Sequence, residues 1–232
     1  MKRSVELEMM DVPGQPRDLL IDDLRNLRTI NRYLGCYRNV LRALASALNG
    51  QSKCDFTLLD VGTGNADIPE AIVHWSRRRK LAARISCLER EEITAEQAVD
   101  QTRSFGEITV LRADATSPPF RPASFDFVLA SQLLHHFPNE QIVALLRSWA
   151  TLARRAVIVS DLVRHPLAYH GIRLLTNAFT RNIMTRTDAP LSVRRALTLE
   201  EWRAVFREAN VGRFSVEPAL PFRMRGLIWL KT

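Results

Sequence analysis

Residues 57–69 read TLLDVGTGNADIP, from Thr57 to Pro69, and the fold is decided by how this stretch is read. Thr57 to Val61 is an apolar run of strand length, Gly62 and Gly64 follow it, and a helical pattern begins at Asp67. Two glycines remove two Cβ atoms where the chain must turn sharply and where a ligand approaches the strand end, as in the first turn of a doubly wound sheet. A dinucleotide fingerprint, G-x-G-x-x-G, would need a third glycine where Asp67 stands. A carboxylate at that helix start repels a pyrophosphate, so NAD is disfavoured. Asp60 and Asp67 suit instead a nucleoside-like ligand with no phosphate and a cationic end. S-adenosylmethionine, with its sulfonium and ammonium groups, has that chemistry.

LLDVGTGNADIP resembles motif I of the class I S-adenosylmethionine-dependent methyltransferases, with Ala66 in the position of the third glycine, and the later motifs of that superfamily follow in order from Leu58 to Leu162. The resemblance implies an α/β fold, a Rossmann-like seven-stranded doubly wound sheet with one antiparallel strand. It also implies a cofactor set in the first turn, namely Asp60, Gly62, Thr63, Gly64, Asn65 and Asp67.

The next strands extend that set. Arg84 to Leu88 reads as the second strand, and Glu89 beyond it, followed by Arg90, is placed to accept both ribose hydroxyls. Thr94 to Gln97, T-A-E-Q, reads as a capping box that opens the following helix. Ile108 to Arg112 reads as the third strand. By the resemblance, Asp114 accepts a hydrogen bond from the adenine amino group and Ala115 offers its backbone N–H. The plain reading of Asp114 is an Asx cap. Phe125 to Ala130 is an apolar central strand that ends at Ser131, another cofactor candidate.

Strand four runs into SQLLHHFPN, the place opposite the methyl group in class I enzymes. The D/N/S-P-P-Y/F/W motif shared by amino methyltransferases of nucleic acids is absent there, and none of Cys36, Cys54 and Cys87 is placed as a nucleophile for cytosine C5 chemistry. His135 and His136 are candidate bases because imidazole titrates near neutrality. Adjacent side chains point in different directions, so at most one is expected to face the pocket. Asp161, at the end of a fifth strand from Ala156 to Ser160, is a second candidate for base or anchor. Its neighbour Arg164 would pair with it or with an acidic substrate.

Residues 1–50 are expected to form a helical cap, in which Leu20, Leu24, Leu27, Ile30 and Leu34 share one helix face and Gly35 divides two helices, either packed plainly on the sheet edge or serving as a lid from which Arg32 or Tyr33 reaches the methionine carboxylate. Residues 51–232 form the methyltransferase domain, and residues 161–197 an insertion on its substrate side. The insertion holds an apolar helix, Leu167 to Phe179, and a loop, RNIMTRTDAPLSVRRA, more than a connection needs. It is expected to roof a lipophilic pocket, with Tyr169, Phe179 and Met184 beside Arg164 as substrate contacts. A helix from Leu199 and two strands, from Arg213 and Arg223, close the domain.

Charge is uneven: Met1 to Asn139 holds 18 basic and 18 acidic residues, and Glu140 to Thr232 holds 15 and 7, the whole excess of +8. A basic second half suits an anionic small molecule, an acidic membrane surface touched transiently, or RNA. No RNA-binding motif is appended, so nucleic acid is the weaker expectation. The amino terminus has no apolar h-region and no run spans a bilayer, which with three scattered cysteines points to a reducing cytoplasm. The expected activity is methyl transfer to a small lipophilic acceptor, O-methylation of a phenol or hydroxylated quinone precursor. C-methylation of a quinone-type ring, an RNA methyltransferase, and a cofactor-binding protein without catalysis stand as alternatives.

Overall fold

The computed structural model describes residues 1–48 and 55–230, so Cys54 lies outside the described residues. Seven strands form one sheet: β1 (Phe56–Val61), β2 (Ala83–Glu89), β3 (Ile108–Arg112), β4 (Phe125–Ser131), β5 (Ala153–Leu162), β6 (Arg213–Ala219) and β7 (Arg223–Trp229). Their order is β3-β2-β1-β4-β5-β7-β6. β7 runs antiparallel to both β5 and β6, and the remaining pairings are parallel. The order reverses between β1 and β4, and a ligand crevice opens at such a switch point, outside the carboxyl ends of the strands.

Helices cover both faces: α1 (Arg17–Tyr33), α2 (Cys36–Ala47), α3 (Asp67–Arg78), α4 (Glu92–Thr102), α5 (Asn139–Leu152), α6 (Pro166–Phe179), α7 (Ile183–Arg195) and α8 (Leu199–Ala209). Alternate strand residues point to opposite faces. Leu59, Val61, Val128 and Val157 therefore pack with Trp149 of α5 and Trp202 and Phe206 of α8, while Leu58, Ile85, Phe127 and Ile158 pack with Val40 and Leu44 of α2 and Ile72 of α3. Each such buried side chain contributes about 1.5–3 kcal/mol. Gly35, at φ +77°, separates α1 from α2, and α2 belongs to the core of the sheet while α1 lies over α4 and α7.

Three local expectations are corrected. α4 begins two residues before Thr94: Glu91 is its cap, with a carboxylate oxygen accepting from the Thr94 N–H at 2.6 Å, so T-A-E-Q lies inside the helix. The stretch read as a loop after Phe179 is α7. Asn182 caps it by accepting from the Thr185 N–H, and Thr185 Oγ1 donates to Asp23 Oδ1 at 2.6 Å, tertiary anchors that hold a helix in spite of Pro190 in its interior. Nor does the apolar helix of the insertion roof a pocket: Leu174 is 74% and Phe179 81% exposed. The capping box of α8, Thr198 with Glu201, is present.

Candidate active site

At the carboxyl ends of β1, β2 and β4 lies a cleft of about 390 Å³. The turn after β1 forms its floor. Gly62 and Gly64 have φ of +68° and +58°, and Ala66 takes the same left-handed conformation at +58° before entering α3. A Cβ on Gly62 would stand 2.8 Å from Leu133 Cδ1, so the leucine side chain would have to shift, and the φ of +68° would be strained for any L side chain.

Polar groups set the turn from inside. Thr63 Oγ1 donates to Asp60 Oδ2 at 2.7 Å, and the Asn65 side chain donates to the Leu24 carbonyl of α1. Burial pushes the Asp60 carboxyl up to about 7. Asp67 Oδ2 accepts from the Asn31 amide and the Tyr37 hydroxyl, at 3.0 and 2.9 Å. Glu89 Oε2 accepts from the Gly64 N–H, and its Oε1 from the N–H groups of Arg90 and Glu91, which locks the end of β2 to the glycine turn. Glu89 Oε1 and Asp67 Oδ2 each accept two bonds already, so the acceptor capacity left on these carboxylates is on Glu89 Oε2 and Asp67 Oδ1. Asp114 Oδ1 accepts from the Thr116 N–H at 2.8 Å, an Asx turn whose carboxylate nonetheless lines the cleft. Arg90, Ala115 and Ser131 line it too, so that eleven of the twelve proposed cofactor residues share one wall system. Arg32 does not: it lies over the Tyr33 ring and lines a different, outer groove.

Beyond β4 the chain turns at Gln132, φ +53°, into a short 3-10 turn, Leu134–His136. Both imidazoles line the cleft, their ring centroids 4.4 Å apart and their planes inclined at 34°. The expectation that only one histidine faces inward is thus corrected: the tight turn sets the rings nearly side by side. Each ring is held at Nδ1 by a carboxylate. His135 Nδ1 lies 2.7 Å from Asp161 Oδ1, and His136 Nδ1 lies 2.8 Å from Asp11 Oδ2. Asp161 stands behind His135, outside the cleft lining, 1% exposed.

Between the two rings sits Glu8. Its Oε1 is 3.7 Å from His135 Nε2 and its Oε2 is 3.9 Å from His136 Nε2. Burial raises the Glu8 carboxyl to about 7. Arg195 of α7 closes the group, 3.2 Å from Asp11 Oδ2 and 3.8 Å from Glu8 Oε1, and donates to the His136 carbonyl. Glu8, Asp11 and Arg195 were missed in the sequence because nothing in VELEMMD or SVRRA carries a local motif; they meet only through the tertiary fold.

None of the proposed substrate residues lines the cleft. Arg164 donates to the Ala196 carbonyl and pairs with Glu201 at 2.7 Å, a structural bond rather than a partner of Asp161. Tyr169 stacks edge-on with His170, Phe179 faces solvent, and Met184 is buried against Leu20 and Leu24. The apolar wall of the cleft comes instead from Leu7, Met10, Leu20, Leu24 and Leu27. Among the described residues no helix is long and apolar enough to cross a membrane.

Residues 58–156 match the family model of a methyltransferase domain. Over 222 residues the chain is 23% identical to a ubiquinone/menaquinone biosynthesis C-methyltransferase of Rhizobium leguminosarum, covering 88% of this chain and 85% of that one. Among solved structures it is similar to human N-acetylserotonin methyltransferase in complex with S-adenosylmethionine, with a TM-score of 0.67 at 16% identity, over 100% of this chain and 63% of the human one. It is also similar to an O-methyltransferase family 2 protein of Planctomyces limnophilus in complex with apigenin, with a TM-score of 0.66 at 18% identity, over 94% of this chain and 62% of that one.

Proposed function

We propose that this chain, a class I S-adenosylmethionine-dependent methyltransferase, methylates the oxygen of a small hydroxylated acceptor, a phenol or hydroxylated quinone precursor. One observation carries the reading: two imidazoles, each backed by a carboxylate, share the cleft wall with the glycine turn and Glu89. Asp60, Glu89 and Asp114 would hold the adenosyl and methionine ends. The acceptor would enter between the cluster and the apolar wall of Leu20, Leu24 and Leu27.

Transfer is an in-line displacement. The acceptor oxygen attacks the methyl carbon, the carbon–sulfur bond breaks, and sulfur keeps the electron pair to leave as the neutral thioether. The acceptor's proton leaves toward the cluster of Glu8, His135 and His136. Holding oxygen, methyl and sulfur in line supplies much of the acceleration, and proton removal adds roughly 10²–10⁴-fold.

C-methylation of an electron-rich ring is the second reading, favoured by the C-methyltransferase name of the Rhizobium relative. The same cluster would then take the proton from the ring hydroxyl that makes the ring carbon nucleophilic. A panel of phenols, catechols and hydroxyquinones with methyl-labelled S-adenosylmethionine separates the two, because magnetic resonance of the product distinguishes a methoxy carbon from a ring methyl. Methoxy products are expected. Turnover confined to another acceptor class would overturn the reading.

A further inference from the structure

The outer nitrogens of two imidazoles converge on the Glu8 carboxyl, beside which stand the Ser192 side chain and, 3.8 Å from Oε1, the Arg195 guanidinium. His135 turns its Nδ1 to Asp161, a carboxylate oxygen that already accepts from the Leu162 N–H, so Nδ1 is the donor of that pair and Nε2 is the ring nitrogen left for the cleft. His136 has the same arrangement with Asp11. One ligand atom from each of Glu8, His135 and His136 lies within 4.8 Å of the other two, and the Nε2 atoms approach Glu8 to 3.7 and 3.9 Å. His135 is 3% and Glu8 1% exposed, and His135 Nε2 and Glu8 Oε1 are buried without a hydrogen-bond partner. Buried acceptors left unpartnered are unfavourable unless something positive sits among them.

We infer that Glu8, His135 and His136 form a binding site for one divalent first-row transition cation, zinc in the first instance, whose open positions face the cleft. Two imidazoles and one carboxylate are the protein ligand set of a catalytic zinc with a free coordination position. Bonds of about 2.0–2.1 Å to a tetrahedral ion put ligands roughly 3.3 Å apart, and the observed 3.7 and 3.9 Å contract to that by a few tenths of an ångström. Asp161 and Asp11 stand where outer carboxylates orient metal-bound imidazoles through Nδ1–H. Charge agrees: three carboxylates, Glu8, Asp11 and Asp161, surround the rings. Arg195 offsets one of them, and Arg3 is turned to the backbone carbonyls of His135 and Phe137.

The inference rests on the reading of the cleft as a methyl-transfer site and specifies how the cluster serves it. A bound divalent ion lowers the pKa of an oxygen that coordinates it, so with the ion in place the acceptor hydroxyl would lose its proton to bulk water, in place of direct transfer to the Glu8, His135 and His136 side chains that the ion then occupies, and would present an oxyanion to the methyl group.

The test is calorimetry on full-length protein stripped with chelator, titrated separately with zinc and with S-adenosylhomocysteine, together with the absorption spectrum of the cobalt(II) form. One zinc per chain is expected, and Glu8→Gln and His136→Asn should each weaken it at least tenfold while still binding S-adenosylhomocysteine. Asp11→Asn, which removes only an outer partner, should weaken it roughly 10–100-fold. Wild-type protein that binds S-adenosylhomocysteine but no stoichiometric zinc overturns the metal site and leaves the methyltransferase reading intact. Unchanged zinc affinity in Glu8→Gln, or a thiolate-to-cobalt absorption band, places the ion elsewhere and also overturns it. Zinc binding that responds to these substitutions in a protein blind to S-adenosylhomocysteine keeps the site and rejects the methyl-transfer reading.

Discussion

His135 Nδ1 stands 2.7 Å from Asp161 Oδ1, and this buried pair fixes which ring nitrogen the cleft receives. Burial alone would raise the Asp161 carboxyl, but the charge and hydrogen bond of His135, with the Leu162 N–H, hold it below the ordinary carboxylate range. β5 supplies the carboxylate and the turn after β4 supplies the ring, so neighbouring parallel strands place the two with no loop of their own.

Asp161→Asn tests this pairing. An asparagine that turns its amide N–H to Nδ1 moves the ring proton to Nε2, so the cleft receives a donor where it had a lone pair. Nitrogen magnetic resonance should report the tautomer change, and turnover should fall by roughly 10²–10⁴. Asp161→Ala leaves the ring without its partner and should cost about 3 kcal/mol in urea denaturation. Unchanged turnover in Asp161→Asn would mean that ring orientation is not used in the chemistry.

Gly62→Ala should fail for two separable reasons. The added methyl would stand 2.8 and 2.9 Å from the two Leu133 methyls, and an L-residue at φ +68° is strained even in open space. The left-handed conformation costs roughly 1–2 kcal/mol, so total destabilisation of about 2–4 kcal/mol is expected once the overpacking of Leu133 is added. In a Leu133→Ala background the steric part should vanish and the conformational part remain, which a double-mutant cycle reads directly. Affinity for S-adenosylhomocysteine should drop at least tenfold in Gly62→Ala, because the turn carries the Gly64 N–H that anchors Glu89.

What the sequence disclosed and what it withheld divide along the same physical line. The glycine turn, Glu89, Asp114 and the strand order are legible because strand alternation and turn chemistry are local, and a βα unit carries its ligand groups at fixed offsets. The Glu8 cluster was not, since Glu8 comes from an irregular segment 127 residues before His135, the difference of their numbers. α7 was missed for a related reason. Its buried positions mix Met184, Leu191 and Val193 with Thr185, Asp188 and Arg195, so no apolar stripe marks it. Phe179 misled because an apolar residue on a helix is expected inside, and here it faces solvent.

Stability should decline as pH rises across the weakly acidic range. Burial pushes Asp60 up to about 7 and Asp23 up to about 6, against an ordinary value of 3.8. A carboxyl raised in the folded state binds its proton more tightly there than in the unfolded chain. Its contribution is therefore intact below pH 3.8 and is lost as pH rises through the folded value of about 7 or 6. The loss is on the order of a few kcal/mol for Asp60. Urea midpoints measured between pH 5 and 8 should fall with pH, and Asp60→Asn should flatten the curve toward 7 and Asp23→Asn toward 6. A flat wild-type profile would refute the raised carboxyls.

The cluster's third member depends on a clamp some distance from it. Asp188 of α7 accepts the Met9 N–H at 2.9 Å on one carboxylate oxygen and the Met10 N–H at 3.0 Å on the other, and the Ser4 N–H donates to the Arg194 carbonyl. Those bonds hold the segment between Ser4 and Asp11 across the cleft; a short 3-10 turn, in which the Asp11 N–H donates to the Glu8 carbonyl at 3.0 Å, sets Glu8 and Asp11 relative to each other, and α7 fixes that turn in place. Asp188→Ala frees both amides. Hydrogen exchange at Met9 and Met10 should quicken at least tenfold, while the Gly64 amide, bonded to Glu89, keeps its protection. Turnover should fall with the loss of an ordered Glu8, and affinity for S-adenosylhomocysteine should change little, because the glycine turn does not lean on this segment. Exchange that stays slow at Met9 and Met10 would show that Arg3, bonded to the Phe137 carbonyl and to Asn139, is enough to hold the strap without Asp188.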